Sequence, residues 1–270
     1  MRLKRKPFLT AALMPALGLV VATTVASANV TGFGTNGTGW TLNDNGNYTP
    51  TITGNNLELT SAADNEATSV WYNTQQDVAS SWSATFTWTQ SNGNSPPANG
   101  FMFVVQTLGT NALGGSGGSK GYSNGTPNIT PSVAMGMDPF SNPFYTGGFQ
   151  YGQDGSIENS NPTGSLDFQT DLNPIEFTVA YNAPAETLTI AAVDSTNSAD
   201  SSSYTQSAVN IATILRQNTA YIGLTGGTGG SVDQQNITKF SFAVPEPSVL
   251  ALLAIGGAGL LLLGRRRGRA

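Results

Sequence analysis

Apolar and polar residues alternate through the middle of this chain. In Trp82-Ser83-Ala84-Thr85-Phe86-Thr87-Trp88 every second residue is apolar, which puts Trp82, Ala84, Phe86 and Trp88 on one face of a strand. Ile175-Glu176-Phe177-Thr178-Val179-Ala180-Tyr181 repeats the pattern, and residues 187–193 do so with Leu188 and Ile190 inward. Residues 101–105, 132–137, 221–225 and 239–244 read as strands with more continuous burial. Asn92-Gly93, Asn124-Gly125 and Asp154-Gly155 are turn signals between them. Residues 209–217 are the one helix-like stretch, enough for a single short turn, and the Ser/Thr/Asp-rich residues 194–207 read as a long surface loop. Many strands at fairly even spacing, with no amphipathic helices, predict an all-β fold, an antiparallel two-sheet β-sandwich without internal repeat or boundary.

The two ends break this pattern. Arg2, Lys4, Arg5 and Lys6 precede an apolar stretch over residues 8–25, and Ala26-Ser27-Ala28 supplies a small-x-small cleavage site. Residues 1–28 therefore read as a secretory signal peptide, with Asn29 the first mature residue. At the other end Val244-Pro245-Glu246-Pro247 leads into an apolar run over 249–264 and then Arg265, Arg266, Arg267 and Arg269. As a helix the run is about 24 Å long at roughly 1.5 Å per residue. That is a marginal span for a hydrocarbon core of about 30 Å, with the arginines held on the cytoplasmic side. A buried core helix fits poorly with an apolar run that stops at four arginines. The three-part tail resembles the bacterial PEP-CTERM sorting signal. The resemblance implies a Gram-negative envelope, cell-surface or matrix protein, held in the membrane by the C-terminal helix until an exosortase-type enzyme removes it. The chain thus divides into 1–28 (signal peptide), 29–243 (β-sandwich) and 244–270 (sorting segment).

Charge and composition narrow the function. Lys120, Arg216 and Lys239 are the only basic residues in 29–247 and face all sixteen acids, a net charge near −13. Such a surface repels nucleic acid, whose binding needs clustered Lys and Arg. The chain has no Cys, hence no disulfide or thiolate zinc site. It has no His, which excludes Ser-His-Asp and Cys-His machinery and imidazole metal ligands. Any metal would be held by oxygens, as calcium is.

The segment richest in chemistry runs Ala98-Asn99-Gly100-Phe101-Met102-Phe103-Val104-Val105-Gln106, then Ala112-Leu113-Gly114-Gly115-Ser116-Gly117-Gly118-Ser119-Lys120-Gly121-Tyr122, then Pro131-Ser132-Val133-Ala134-Met135-Gly136-Met137-Asp138, with Asn142 four residues on. By composition it is a strand, a glycine loop, a strand and an acidic corner. The loop is not a phosphate cradle: it lacks the Gly-Lys-Ser/Thr ending, a Gly-x-Gly-x-x-Gly reading fails at Lys120, and no helix follows.

In this order the blocks resemble the legume-type (L-type) lectin domain. The likeness extends to Gly39-Trp40-Thr41-Leu42-Asn43 near the start and to residues 209–215, 220–225 and 237–242 near the end. It implies a concanavalin A-like jelly roll that grips a sugar in a shallow site made by four loops. There an Asp after a cis peptide accepts from sugar hydroxyls, a loop glycine and an Asn amide donate, and an aromatic ring stacks on the pyranose. By position these carbohydrate-binding roles fall to Asn99, Gly118 and Asn142, with Gly226, Gly227 and Thr228 in the last loop. Phe140, Phe144 and Tyr145 are candidate stacking rings. The family's Ca²⁺ and transition metal order the loops, and Asp138 and Asn142 are the matching ligands. This chain departs at Asn99, an amide in place of a carboxylate, and at Gly136, where the family has its transition-metal Glu. One carboxylate and one Asn are thin provision for a Ca²⁺ that takes six to eight oxygens. Weak calcium binding or none is expected, and no transition metal.

These residues point first to an exported, non-enzymatic carbohydrate-binding protein whose partners are glycans or extracellular polysaccharide. A structural matrix protein that kept the sandwich and lost the sugar site is the alternative. A glycoside hydrolase on the same sandwich is a third reading. It needs two carboxylates about 5–9.5 Å apart, and the Glu-x-Asp-x-x-Glu run of that branch is absent. Asp64 with Glu66 and Asp167 with Asp171 are the nearest acid pairs.

Overall fold

A computed structural model of the protein describes residues 30–170 and 172–245. The signal segment over 1–28, Asp171 and the apolar, arginine-ended tail over 246–270 lie outside the described residues.

Two eight-stranded antiparallel sheets face each other. The back sheet runs from Ser201–Gln206 through Thr187–Asp194, Ile175–Asn182, Trp82–Ser91, Gln234–Ala243 and Asn56–Ser61 to Thr51–Thr53, with Val30–Thr31 beside Gln234–Ala243. The front sheet runs from Ser156–Ile157 through Gly148–Gln153, Ser132–Asp138, Phe101–Gln106, Thr219–Gly227 and Ala67–Tyr72 to Trp40–Asp44, with Gln76–Asp77 beside Thr219–Gly227.

The alternation in the sequence becomes the inner face of the back sheet. Trp82, Ala84, Phe86 and Trp88, and Ile175, Phe177, Val179 and Tyr181, are buried, with less buried polar residues between most of them. They meet Phe101, Phe103 and Val105 of the front sheet in one core. Its centre is aromatic: the rings of Phe101 and Phe177 are 4.9 Å apart and nearly perpendicular, an arrangement that adds to the area effect. Within it the Trp88 Nε1–H donates to Gln235 Oε1 at 3.2 Å.

Phe101–Gln106 and Ser132–Asp138 are buried at every position, which explains their unbroken apolar character. Residues 107–131 fold back over the outer face of the front sheet, where Ala112, Tyr122 and Ile129 pack on Trp71, Met102, Val104 and Ala134. The Trp71 indole N–H donates to Ala112 O at 2.8 Å and ties this flap down. The flap carries the glycine loop to the end of the sheet where Phe101 pairs with Met137 and with Gly226. The segments before Phe101, after Asp138 and after Gly227 therefore all emerge at that end.

Two expectations are corrected. Residues 194–207 are not one long loop, because Ser201–Gln206 forms an edge strand against Thr187–Asp194. Its alternating faces are exposed and half-buried, so it needs little apolar content. The helical turn is shorter than residues 209–217: it spans Ile211–Leu215, starts where Asn210 Oδ1 accepts from Thr213 N–H at 2.9 Å, and stops at Arg216 in the left-handed conformation.

Candidate functional site

Asn99 enters the front sheet through a cis Ala98–Asn99 peptide. Its N–H donates to Gly227 O at 3.0 Å. Gly100 follows at φ 86°, where a Cβ would lie 2.0 Å from Met137 O, so only glycine lets the chain turn into the strand here. The Asn99 Oδ1 is buried without a hydrogen-bond partner. Two glycines flank it: a Cβ on Gly229 would sit 3.5 Å from Asn99 Oδ1 and 3.5 Å from the Gly117 Cα.

The glycine loop is pinned to the last loop by Gly117 N–H donating to Thr228 O at 2.7 Å. Gly118 is exposed at its crest, and a Cβ there would meet nothing within 4 Å. Lys120 then turns left-handed (φ 53°) and sends its side chain inward, where it is fully buried. Its Nζ lies 2.6 Å from Asp138 Oδ2, the one ion pair among the described residues, and also donates to Gly118 O at 3.2 Å.

Asp138 closes the floor. Its Oδ2 also accepts from Tyr145 OH at 3.0 Å, and its Oδ1 accepts from Phe140 N–H at 2.9 Å. Gln150 Nε2 donates to Tyr145 OH at 3.1 Å and to Ser160 Oγ at 3.0 Å. Burial pushes the Tyr145 hydroxyl above its ordinary pKa, and the Asp138 charge adds to this. The Phe140 and Tyr145 rings stand 5.9 Å apart as one wall. A cleft of about 590 Å³ opens between Asn99, Gly118, Asp138, Phe140 and Tyr145 and extends to Glu158.

Asn99, Gly118 and Asp138 thus meet in one cleft, with Phe140 and Tyr145 beside them. Phe144 points away and is 98% exposed. Gly226, Gly227 and Thr228 are buried behind the loops rather than at the rim. A Cβ at Gly226 would lie 2.8 Å from Leu59 side-chain atoms, Gly227 O receives Asn99, and Thr228 Oγ1 accepts from Glu66 N–H at 2.9 Å. The solvent-facing tip of that loop is Gly230. Asn142 is exposed and does not line the cleft. Its Oδ1 accepts from Phe144 N–H at 2.9 Å and closes a hairpin turn.

The donor set does not fit the family's metals. Among the described residues no three His, Cys, Asp or Glu gather as a metal group. Asp138 and Glu158 are the carboxylates that line the cleft, and both oxygens of Asp138 already have protein donors. Gly136 has no room for a ligand, since a Cβ would lie 2.1 Å from Phe101 O and 2.4 Å from Met102 Sδ. Of the acids considered for hydrolysis, Glu66 is buried and accepts from Ser61 N–H, Ser61 Oγ and Ala63 N–H. Burial pushes its pKa up against those bonds. Asp167 accepts from Thr170 and Gln169.

The residues that pattern reading missed are Lys120, as the partner of Asp138, and Gln150. Lys120 did carry a signal: it is one of three basic residues in 29–247 and stands inside a run of glycines.

Two facing sheets with a polar cleft at the loop end of the front sheet define a lectin-type sandwich. Residues 27–250 match the legume lectin domain model, and the chain belongs to that family. Residues 243–267 match the PEP-CTERM protein-sorting motif, which indicates export toward the cell envelope in Gram-negative bacteria. Solved structures with the same fold include the Bauhinia forficata lectin in complex with GalNAc (16% identity, TM-score 0.62, 82% of this chain and 99% of that one). Lectin II from Ulex europaeus is similar to the same extent (16%, TM-score 0.64, 82% and 99%). Arcelin-5, a lectin-like defense protein from Phaseolus vulgaris, matches at 14% identity and TM-score 0.61 over 77% of this chain and 93% of that one. At these identities the likeness is one of fold.

Proposed function

We propose that this is an exported carbohydrate-binding protein that holds a glycan or extracellular polysaccharide in the cleft at Asn99 and Gly118 and does not transform it. The observation that carries this reading is the Asn99 carboxamide oxygen, buried at the cleft without a partner and flanked by glycines. A buried acceptor without a donor is costly, and a sugar hydroxyl is the donor that suits it. The Phe140–Tyr145 wall offers a π-face to a pyranose. On this reading residues 1–28 are removed on export, 29–243 form the binding domain, and 244–270 anchor the chain until an exosortase-type enzyme acts. Glu66 and Asp167 are bound up in local hydrogen bonds, which supports binding over catalysis.

The amide at Asn99 favours one second reading, a matrix protein with the sandwich and no sugar site, because a neutral acceptor forgoes charge-assisted hydrogen bonds. A glycan array probed in Ca²⁺ and again in EDTA tests the two. Binding that Asn99→Ala weakens supports the lectin reading, and no binding in either buffer supports the matrix reading.

A further inference from the structure

We propose that the Lys120 ammonium replaces the divalent cation of this fold, so that the loop end is assembled by an internal ion pair and works without metal. Lys120 acts as a positioning residue. Where it concerns sugar binding, the proposal rests on the carbohydrate reading above.

Three observations carry it. First, the pair joins separate loops. Lys120 and Gly118 belong to the glycine loop, Asp138 ends a front-sheet strand, and Tyr145 on the following hairpin donates to the same carboxylate. A compact positive charge thus draws a carboxylate oxygen and a backbone carbonyl together, as a bound cation does. Second, the carboxylate is complete. Asp138 receives Lys120, Tyr145 and Phe140 N–H. An entering Ca²⁺ would have either to displace the ammonium into a buried site without its partner or to set three positive charges against one carboxylate. Third, Gly136 has no space for a further ligand. A fully buried lysine needs a fully satisfied partner, since desolvation makes such pairs costly. Lys120 is one of three basic residues in 29–247, and its ammonium lies where the glycine loop meets the end of a front-sheet strand.

The test has two arms. In the first, the wild-type protein is equilibrated with Ca²⁺ and Mn²⁺, desalted and analysed for bound metal, and its thermal midpoint is compared in Ca²⁺ and EDTA. No retained metal and equal midpoints are expected. A stoichiometric ion whose removal lowers the midpoint overturns the proposal. In the second, Lys120→Cys is made. The chain has no other cysteine, so the thiol can be aminoethylated in denaturant with 2-bromoethylamine and the protein refolded, which returns an ammonium at nearly the original length. The cysteine variant should lose thermal stability and weaken glycan binding by about tenfold or more, as removal of an orienting group does at other built sites. Aminoethylation should restore both, and carbamidomethylation neither. A cysteine variant equal to wild type, or losses that aminoethylation does not repair, overturns the proposal. If the wild type binds no glycan, the carbohydrate reading fails, while metal content and thermal rescue still decide the role of Lys120.

Discussion

The backbone of Asn99 is held by Gly227, N–H to carbonyl at 3.0 Å, while its side-chain oxygen has no partner. Position and recognition are therefore separable at this residue. Asn99→Ala keeps the backbone bond and removes the acceptor. A neutral hydrogen bond contributes about 0.5–1.5 kcal/mol, so its loss lowers affinity by up to roughly tenfold. Calorimetric titration with a glycan found on the array measures it, with the thermal midpoint as control. Unchanged affinity would move the ligand away from Asn99.

Gly118 tests the cleft from the other side. It is exposed, and a Cβ there touches nothing within 4 Å. Gly118→Tyr should therefore leave stability within about 0.5 kcal/mol of the parent, as exposed substitutions usually do. A ring planted at the crest would fill the space of a sugar and abolish binding. Retained binding by a folded Gly118→Tyr protein would show that the ligand does not approach this loop.

What was legible in the sequence follows from where burial is one-sided. Trp82–Ser91 and Ile175–Asn182 face the core with one side, so a period of two was enough to read them. Ser201–Gln206 is an edge strand whose residues are all exposed or half-buried, and a strand without an apolar face gives no periodic signal. Gly148–Gln153 was missed for another reason: five of its six residues are buried, two of them glycines, which reads as loop. At the site, Asn99, Gly118 and Asp138 were reached through resemblance, block by block. The Lys120–Asp138 pair spans eighteen residues and depends on how the flap folds back, which no local pattern encodes. Gly226, Gly227 and Thr228 are placed in the last loop by their position in the resemblance; in the structure Gly226 and Gly227 close a strand and the exposed turn comes at Gly230, which the block match does not resolve.

Asp233 gives a pH signature at a residue that does not line the cleft. Its carboxylate is buried and neither oxygen has a donor in good hydrogen-bond geometry, so the nearby Gln235 side chain only partly offsets the loss of water. Burial pushes its pKa well above the ordinary range, and the charges of Asp138 and Glu66 add to this. A carboxyl raised in the folded state binds its proton more tightly there than in the unfolded chain. Its contribution is most favourable below the unfolded pKa, about 3.9, and is lost as the pH rises toward the folded value. Asp194, held low by Asn173 and Thr196, and Asp167, held low by Thr170, act in the opposite sense, so the comparison between variants isolates Asp233. Asp233→Asn should match the parent near pH about 4 and exceed it at neutral pH by about 1–3 kcal/mol, the usual penalty of an unpaired buried polar group. Denaturant titrations across that range measure it. A variant less stable than the parent at neutral pH would mean that the carboxylate has a partner.

Gly136 tests whether the family's metal site can be rebuilt. Simple replacement logic says that Gly136→Glu returns a carboxylate to the floor beside Asp138 and brings metal back. The backbone argues otherwise. A Cβ at this position would lie 2.1 Å from Phe101 O and 2.4 Å from Met102 Sδ. Met102 is the cross-strand partner of Gly136 in a sheet buried on both faces. The Met102 side chain can swing aside, but Phe101 O belongs to the strand that Asn99 leads into and cannot move without shifting the cleft. Overpacking of this kind costs about 1–3 kcal/mol and at times more. Gly136→Ala should therefore destabilise the protein by at least that order, and Gly136→Glu further, with no gain in midpoint on adding Ca²⁺ or Mn²⁺. Thermal melts of both variants with and without the ions provide the measurement. A Gly136→Glu protein that the ions stabilise would show that the strands can part enough to seat a ligand.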